Sequence, residues 1–158
     1  MIFRCKKQEC DINCCGKFGG ITDNLIPIGG REFTEIILTK NDLHALLQSK
    51  YSEYVYIASD GLGRVKTDSN GECQAYRNRQ CEINEFKPTI CKSFPLYLDL
   101  FIGLCAIKSC PPTEQKLLEN DYKSEIKSFI EICEFWVEHY KERLLKIEQQ
   151  EEMSNASI

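Results

Sequence analysis

Ten cysteines in a chain of 158 residues are the strongest constraint on what this sequence can become. Eight of them fall into two blocks. The first is Cys5, Cys10, Cys14 and Cys15, and the second is Cys73, Cys81, Cys91 and Cys110, with Pro111 directly after. Cys105 and Cys133 stand outside that pattern. Thiols at this density are either oxidised to disulfides or holding metal. The N-terminus reads Met-Ile-Phe-Arg-Cys, without the basic region, apolar run and small-residue cleavage site of a secretory leader. The expected location is therefore cytoplasmic, where reducing conditions favour metal ligation over structural disulfides.

Apolar residues make up 42% of the chain and charged residues 28%, enough for a packed core that does not depend on metal alone. The formal net charge of −4, with Lys and Arg scattered, argues against a nucleic-acid partner. No apolar stretch reaches the length that spans a bilayer, so no membrane is expected. A protein partner is left open.

Glycines 16, 19 and 20 mark residues 1 to 20 as an irregular loop. Residues 34 to 38 read as a strand. Thr39 is placed as an N-cap with Asp42 three residues on, opening a helix over about 40 to 50 with Leu43, Leu46 and Leu47 on its face. Tyr54 to Ala58 alternates like a strand. Asp60-Gly61 and Asn70-Gly71 are turn signals. Cys73 to Tyr76 and Cys81 to Ile83 form a hairpin closed near Asn78, bringing Cys73 and Cys81 toward each other. Pro88 opens a short helix that Pro95 ends. Leu96 to Leu104 is expected as a buried strand or short helix. From Asp121 to about Gln150 the pattern predicts one long helix. Its apolar stripe is Tyr122, Ile126, Phe129, Ile130, Cys133, Trp136, Val137, Tyr140 and Leu144, read as core.

A thiolate metal centre needs sulfurs converging on one small volume, and short spacings achieve this at little cost in loop closure. Cys5-x4-Cys10-x3-Cys14-Cys15 has that form. The second block offers ligands on a hairpin, a helix turn and a loop. The two histidines, His44 and His139, lie on predicted helices outside both blocks. All-sulfur sites suit Zn²⁺ or an iron–sulfur cluster. Neighbouring side chains diverge, so Cys14 and Cys15 point to two centres or a multinuclear one, which tips the expectation toward iron. The C-x3-C-x2-C loop of radical S-adenosylmethionine enzymes fails at Lys17. The bacterial ferredoxin run and the paired C-x2-C of zinc ribbons are absent. Gly61-x-Gly63 lacks the third glycine of a dinucleotide loop.

These residues in this order resemble the zinc- or iron-chelating cysteine-cluster family, of C-x-x-C-x-x-C-C type. The first block with Gly16 matches its opening signature. Ile36-Ile37-Leu38-Thr39 with Asp42 and Leu46 match a second segment. Cys73, Cys81, Ile83, Lys87-Pro88, Cys91-Lys92, Phe94-Pro95 and Cys110-Pro111 match the rest. Lys87 and Lys92 stand where the family carries arginines, and a long insertion separates Gly16 from Ile36. The resemblance implies metal chelation by Cys5, Cys10, Cys14, Cys15, Cys73, Cys81, Cys91 and Cys110. Some longer members are flagellin lysine N-methylases.

The expected protein is thus a small single α+β domain over residues 1 to 150. It has a Cys-rich N-terminal loop, a small antiparallel sheet and a long C-terminal helix, followed by a polar tail over 151 to 158. The leading function is metal binding by the eight cysteines, as an iron–sulfur or zinc protein in a redox or accessory role. Two alternatives are a metal-dependent protein-modifying enzyme like the lysine N-methylases and a zinc-stabilised interaction module without catalysis. The competing reading of the cysteines is a set of disulfides. Cys133 is read as a core thiol, and Cys105 as core or a substitute ligand. Lys87 and Lys92 are either counter-charges to a thiolate centre or ordinary surface lysines.

Overall fold

The computed structural model describes residues 36–78, 80–106 and 122–155. The expected Cys-rich loop, Cys5, Cys10, Cys14, Cys15 and Cys110 lie outside the described residues. The architecture within them is α+β, with small antiparallel sheets and a long C-terminal helix.

Strand β1 (Ile36–Ile37) leads through Leu38 into helix α1 (Lys40–Leu47), and the capping box forms as the sequence predicts. The Thr39 hydroxyl accepts from the Asp42 amide at 3.1 Å, and the Asp42 carboxylate accepts from the Thr39 amide at 3.2 Å. Reciprocal bonds of this kind satisfy amides that the first helical turn leaves without partners. A one-turn 3₁₀ helix (Ser52–Tyr54) then feeds β2 (Val55–Ile57), which turns back as β3 (Gly63–Val65). These strands form an antiparallel sheet in the order β1-β3-β2.

Gly61, between β2 and β3, and Gly63, at the start of β3, have structural roles. Gly61 sits at φ +80, and a Cβ on Gly63 would lie 2.8 Å from Leu43 Cδ1, where α1 crosses the sheet. Arg64 in β3 is only 3% exposed and places both guanidinium nitrogens on the Asp60 carboxylate, at 2.8 and 2.7 Å. Leu38, Leu46, Tyr54, Val55, Val65, Cys73, Ala75 and Ile83 make one apolar core between α1, the sheet and the segment that follows.

That segment carries a short hairpin, β4 (Tyr76–Arg77) with β5 (Gln80–Cys81), turned by Asn78 at φ 49. Asparagine tolerates this left-handed conformation, so the predicted turn position holds. A 3₁₀ turn (Asn84–Phe86) precedes α2 (Thr89–Ser93), which has Pro88 at its N-cap and ends where Phe94 becomes extended before a cis Pro95. The Leu96 to Leu104 run is neither a buried strand nor a helix. It forms a second hairpin, β6 (Leu96–Asp99) with β7 (Gly103–Ala106). Gly103 at φ +88 makes the turn, and at the tip Leu100 is 88% exposed and Phe101 97%. An apolar run alone says nothing of direction, and the turn-forming glycine was the signal to weigh.

The long helix α3 (Lys123–Asn155) continues past Gln150 through part of the stretch read as a tail. It packs on α2 and β6. Lys40 of α1 reaches Glu142 of α3 at 3.2 Å, an exposed pair of small energetic weight. The face that α3 buries matches the stripe expected from the sequence only in part, with Phe129 and Trp136 common to both. Glu125, Phe129, Ile132, Phe135, Trp136 and His139 are buried or half-buried. Ile126, Ile130, Val137, Tyr140 and Leu144 are exposed, and Cys133 is half-buried beside them in a shallow apolar groove rather than in the core. At ~100° per residue the buried row and the exposed apolar row lie about a third of a turn apart. The helix is apolar over both, so periodicity could not choose between them. Ile132→Ala is expected to cost about 2 kcal/mol or more. Val137→Ala, at a residue 54% exposed, should change stability by less than about 0.5 kcal/mol. Urea melts of the two variants check which face is packed.

Candidate metal-binding site

Three of the eight candidate ligands fall among the described residues: Cys73, Cys81 and Cys91. Cys73 is held by a tight loop. The Asp68 carboxylate accepts from the amides of Asn70 and Glu72, at 2.8 and 2.9 Å, and Gly71 supplies a positive φ. The loop returns the chain so that Cys73 bridges to Thr67, and the Gln74 amide donates to the Lys66 carbonyl at 2.9 Å. The Cys73 carbonyl then accepts from the Tyr76 amide at 2.9 Å, closing a turn that starts β4.

This turn follows directly on Cys73, which is buried. The side chain is 7% exposed, and burial pushes its thiol pKa above the ordinary value of 9.0. Backbone hydrogen bonding at Ala75 and Tyr76 acts in the opposite sense and favours the thiolate. The nearby Cys81 adds a rise through its own charge. Cys81 lies half-buried in β5 opposite Tyr76, so the hairpin brings the two thiols into each other's field as the sequence predicts. Their strand partners differ from expectation, since Cys73 pairs with Thr67.

A buried sulfur with a second thiol nearby suits a thiolate ligand. Hydrogen bonds to a ligating sulfur stabilise its charge and orient it. Burial without metal keeps Cys73 protonated, so metal binding there must expel a proton and strengthen as pH rises. Cys91 is half-buried in the middle of α2, on a different element. Among the described residues, no group of three or more Cys, His, Asp or Glu side chains is gathered as a metal site. The described portion brings two candidate ligands together and places the third on α2.

Several features flank the pair. Tyr54 donates its hydroxyl to Glu82, the residue after Cys81, and that bond, with burial, raises the phenol pKa. The Arg77 guanidinium lies 5.9 Å from the centre of the Tyr54 ring. These contacts pin the β4–β5 hairpin to the core. Neither Glu82 nor Tyr54 was singled out in the sequence, because residues 28 apart show no pairing signal. Lys87 is half-buried and Lys92 exposed. Cys105 in β7 donates its thiol to the Gly103 carbonyl at 3.4 Å, and burial raises the Cys133 thiol pKa, with the Glu134 charge adding to it.

The Cys73 environment has two measurable consequences. In metal-free, reduced protein at pH 8, iodoacetamide should modify Cys73 more slowly than Cys81, because the thiolate is the reacting form and Cys73 is buried. Peptide mass mapping over time checks this. The second concerns stability. A folded-state pKa above the unfolded value contributes stability that is complete below the unfolded value and is lost as pH rises through the folded one. The metal-free protein should therefore weaken above about pH 9, and Cys73→Ala should flatten that part of the profile.

No described helix is long and apolar enough to cross a membrane. Comparison of the chain with protein families, curated proteins and solved structures finds no match.

Proposed function

We propose that this chain binds metal through cysteine thiolates, with Cys73 and Cys81 as half of the second block of ligands. Cys91 and Cys110 complete the second block, and Cys5, Cys10, Cys14 and Cys15 supply the first. The observation that carries the reading is the buried Cys73 thiol with Cys81 close by in β5. The ordered likeness of the cysteines, Lys87-Pro88 and Phe94-Pro95 to the zinc- or iron-chelating cysteine clusters supports it independently. An all-sulfur ligand set accepts Zn²⁺ or an iron–sulfur cluster. The adjacent Cys14-Cys15 pair favours iron, and with it a redox or accessory role in a reducing compartment such as the cytoplasm.

Purification without oxygen tests this. The expected product is brown and contains iron and acid-labile sulfide. Colourless protein with stoichiometric zinc and no sulfide would keep the thiolate site and remove the redox role, because Zn²⁺ does not change oxidation state. Protein that takes up neither metal would refute the reading.

A further inference from the structure

We propose that Asp42 is a positioning residue for the metal centre: its carboxylate ties the start of α2, and with it Cys91, to the start of α1. The inference rests on the thiolate reading above. Asp42 completes the α1 capping box, but that takes only one of its bonds. The same oxygen, Oδ2, accepts from the Thr89 amide at 3.0 Å, and Oδ1 accepts from the Thr89 hydroxyl at 3.0 Å. Thr89 is the first residue of α2 and is buried. The two residues are 47 apart in sequence, so local helix chemistry does not require this contact.

Helix α2 needs an outside anchor. It has five residues, and its N-cap is Pro88, which has no side-chain hydrogen bond to offer. The first amides of a helix have no acceptor within it. In so short a helix they are most of the amides present. Asp42 satisfies the first of them from another element, and the buried Pro88 and Pro95 fix where the chain enters and leaves. Cys91 is two residues from the anchored Thr89, so the placement of its sulfur follows the placement of α2 as a unit. The other described ligands, Cys73 and Cys81, hang from the β4–β5 segment and do not depend on this tie. Groups that orient ligands in this way typically govern metal affinity by about ten to a hundredfold.

The test uses the full chain, reduced without oxygen, with Zn²⁺ as the probe. Affinity is measured against a chromophoric chelator, and alkylation of each cysteine is mapped by mass spectrometry in the zinc-loaded protein. In the unaltered protein, zinc should protect Cys73, Cys81 and Cys91. Absence of any protection there would refute the thiolate reading itself. Asp42→Ala is expected to weaken zinc by about ten to a hundredfold and to make Cys91 reactive while Cys73 and Cys81 stay protected. Asp42→Asn keeps an oxygen for both amides and should protect Cys91 as the unaltered protein does. If Asp42→Ala fails to fold, Thr89→Val removes the hydroxyl bond alone and should give selective, partial exposure of Cys91. Unchanged protection of Cys91, or equal exposure of all three cysteines in a folded variant, would overturn the positioning role.

Discussion

Leu46→Ala is expected to destabilise the protein by about 2–5 kcal/mol, a large part of the roughly 5–15 kcal/mol that holds a typical domain together. Leu46 is 0% exposed, at the centre of the cluster formed with Leu38, Tyr54, Val55, Val65, Ala75, Ile83 and Cys73. Truncation removes apolar contact and leaves a cavity that α1 and the sheet cannot close without moving. Because Cys73 belongs to that cluster, the loss should reach the candidate ligand. Cys73 in Leu46→Ala is therefore expected to alkylate faster than in the unaltered protein under the same native conditions. Urea unfolding followed by circular dichroism, with alkylation run in parallel, measures both effects. A change below about 1 kcal/mol would mean that this core is not the one that supports the fold.

The second large effect is expected at Arg64. Asp60→Ala removes both bonds from a carboxylate to a buried guanidinium, and breaking a buried pair from one side costs about 3–5 kcal/mol. Asp60 is itself partly exposed, with 31% of its side-chain surface open, which sets the expectation near the lower end. The double variant Asp60→Ala with Arg64→Met should recover much of that loss, because no charge is then left in the interior. A double-mutant cycle by urea unfolding measures the coupling. Equal losses in Asp60→Ala and in the double variant would show that the unpaired Arg64 charge is not the source of the cost.

The parts of this fold legible in the sequence are those set by local chemistry. Thr39 and Asp42 announced a capping box, and Asn78, Gly61 and Gly71 announced turns, because each meets a backbone demand that few other residues satisfy. The hairpin turned at Asn78 followed from that turn, although of the two cysteines only Cys81 lies in its strands and Cys73 pairs with Thr67 instead. What remained illegible depends on distant partners. The Asp42–Thr89 tie and the Tyr54–Glu82 bond join residues far apart in sequence, with no periodic pattern to reveal them. The face buried by α3 was read only in part, because Ile126, Ile130 and Val137 are as apolar as Ile132 and Phe135, and only the neighbouring α2 and β6 decide which row is covered. The 96 to 104 run was misread as buried for a related reason: hydrophobicity stood in for burial, while Gly103 was already marking a turn.

X-ray absorption at the metal edge, on protein purified without oxygen, tests the thiolate centre most directly. A coordination shell made only of sulfur is predicted, at about 2.3 Å if the metal is zinc. Replacing Cys73 by serine should lower the metal content or bring oxygen into the shell. A shell of nitrogen and oxygen in the unaltered protein, or metal content and coordination that do not change in Cys73→Ser, would contradict the placement of this cysteine at the centre.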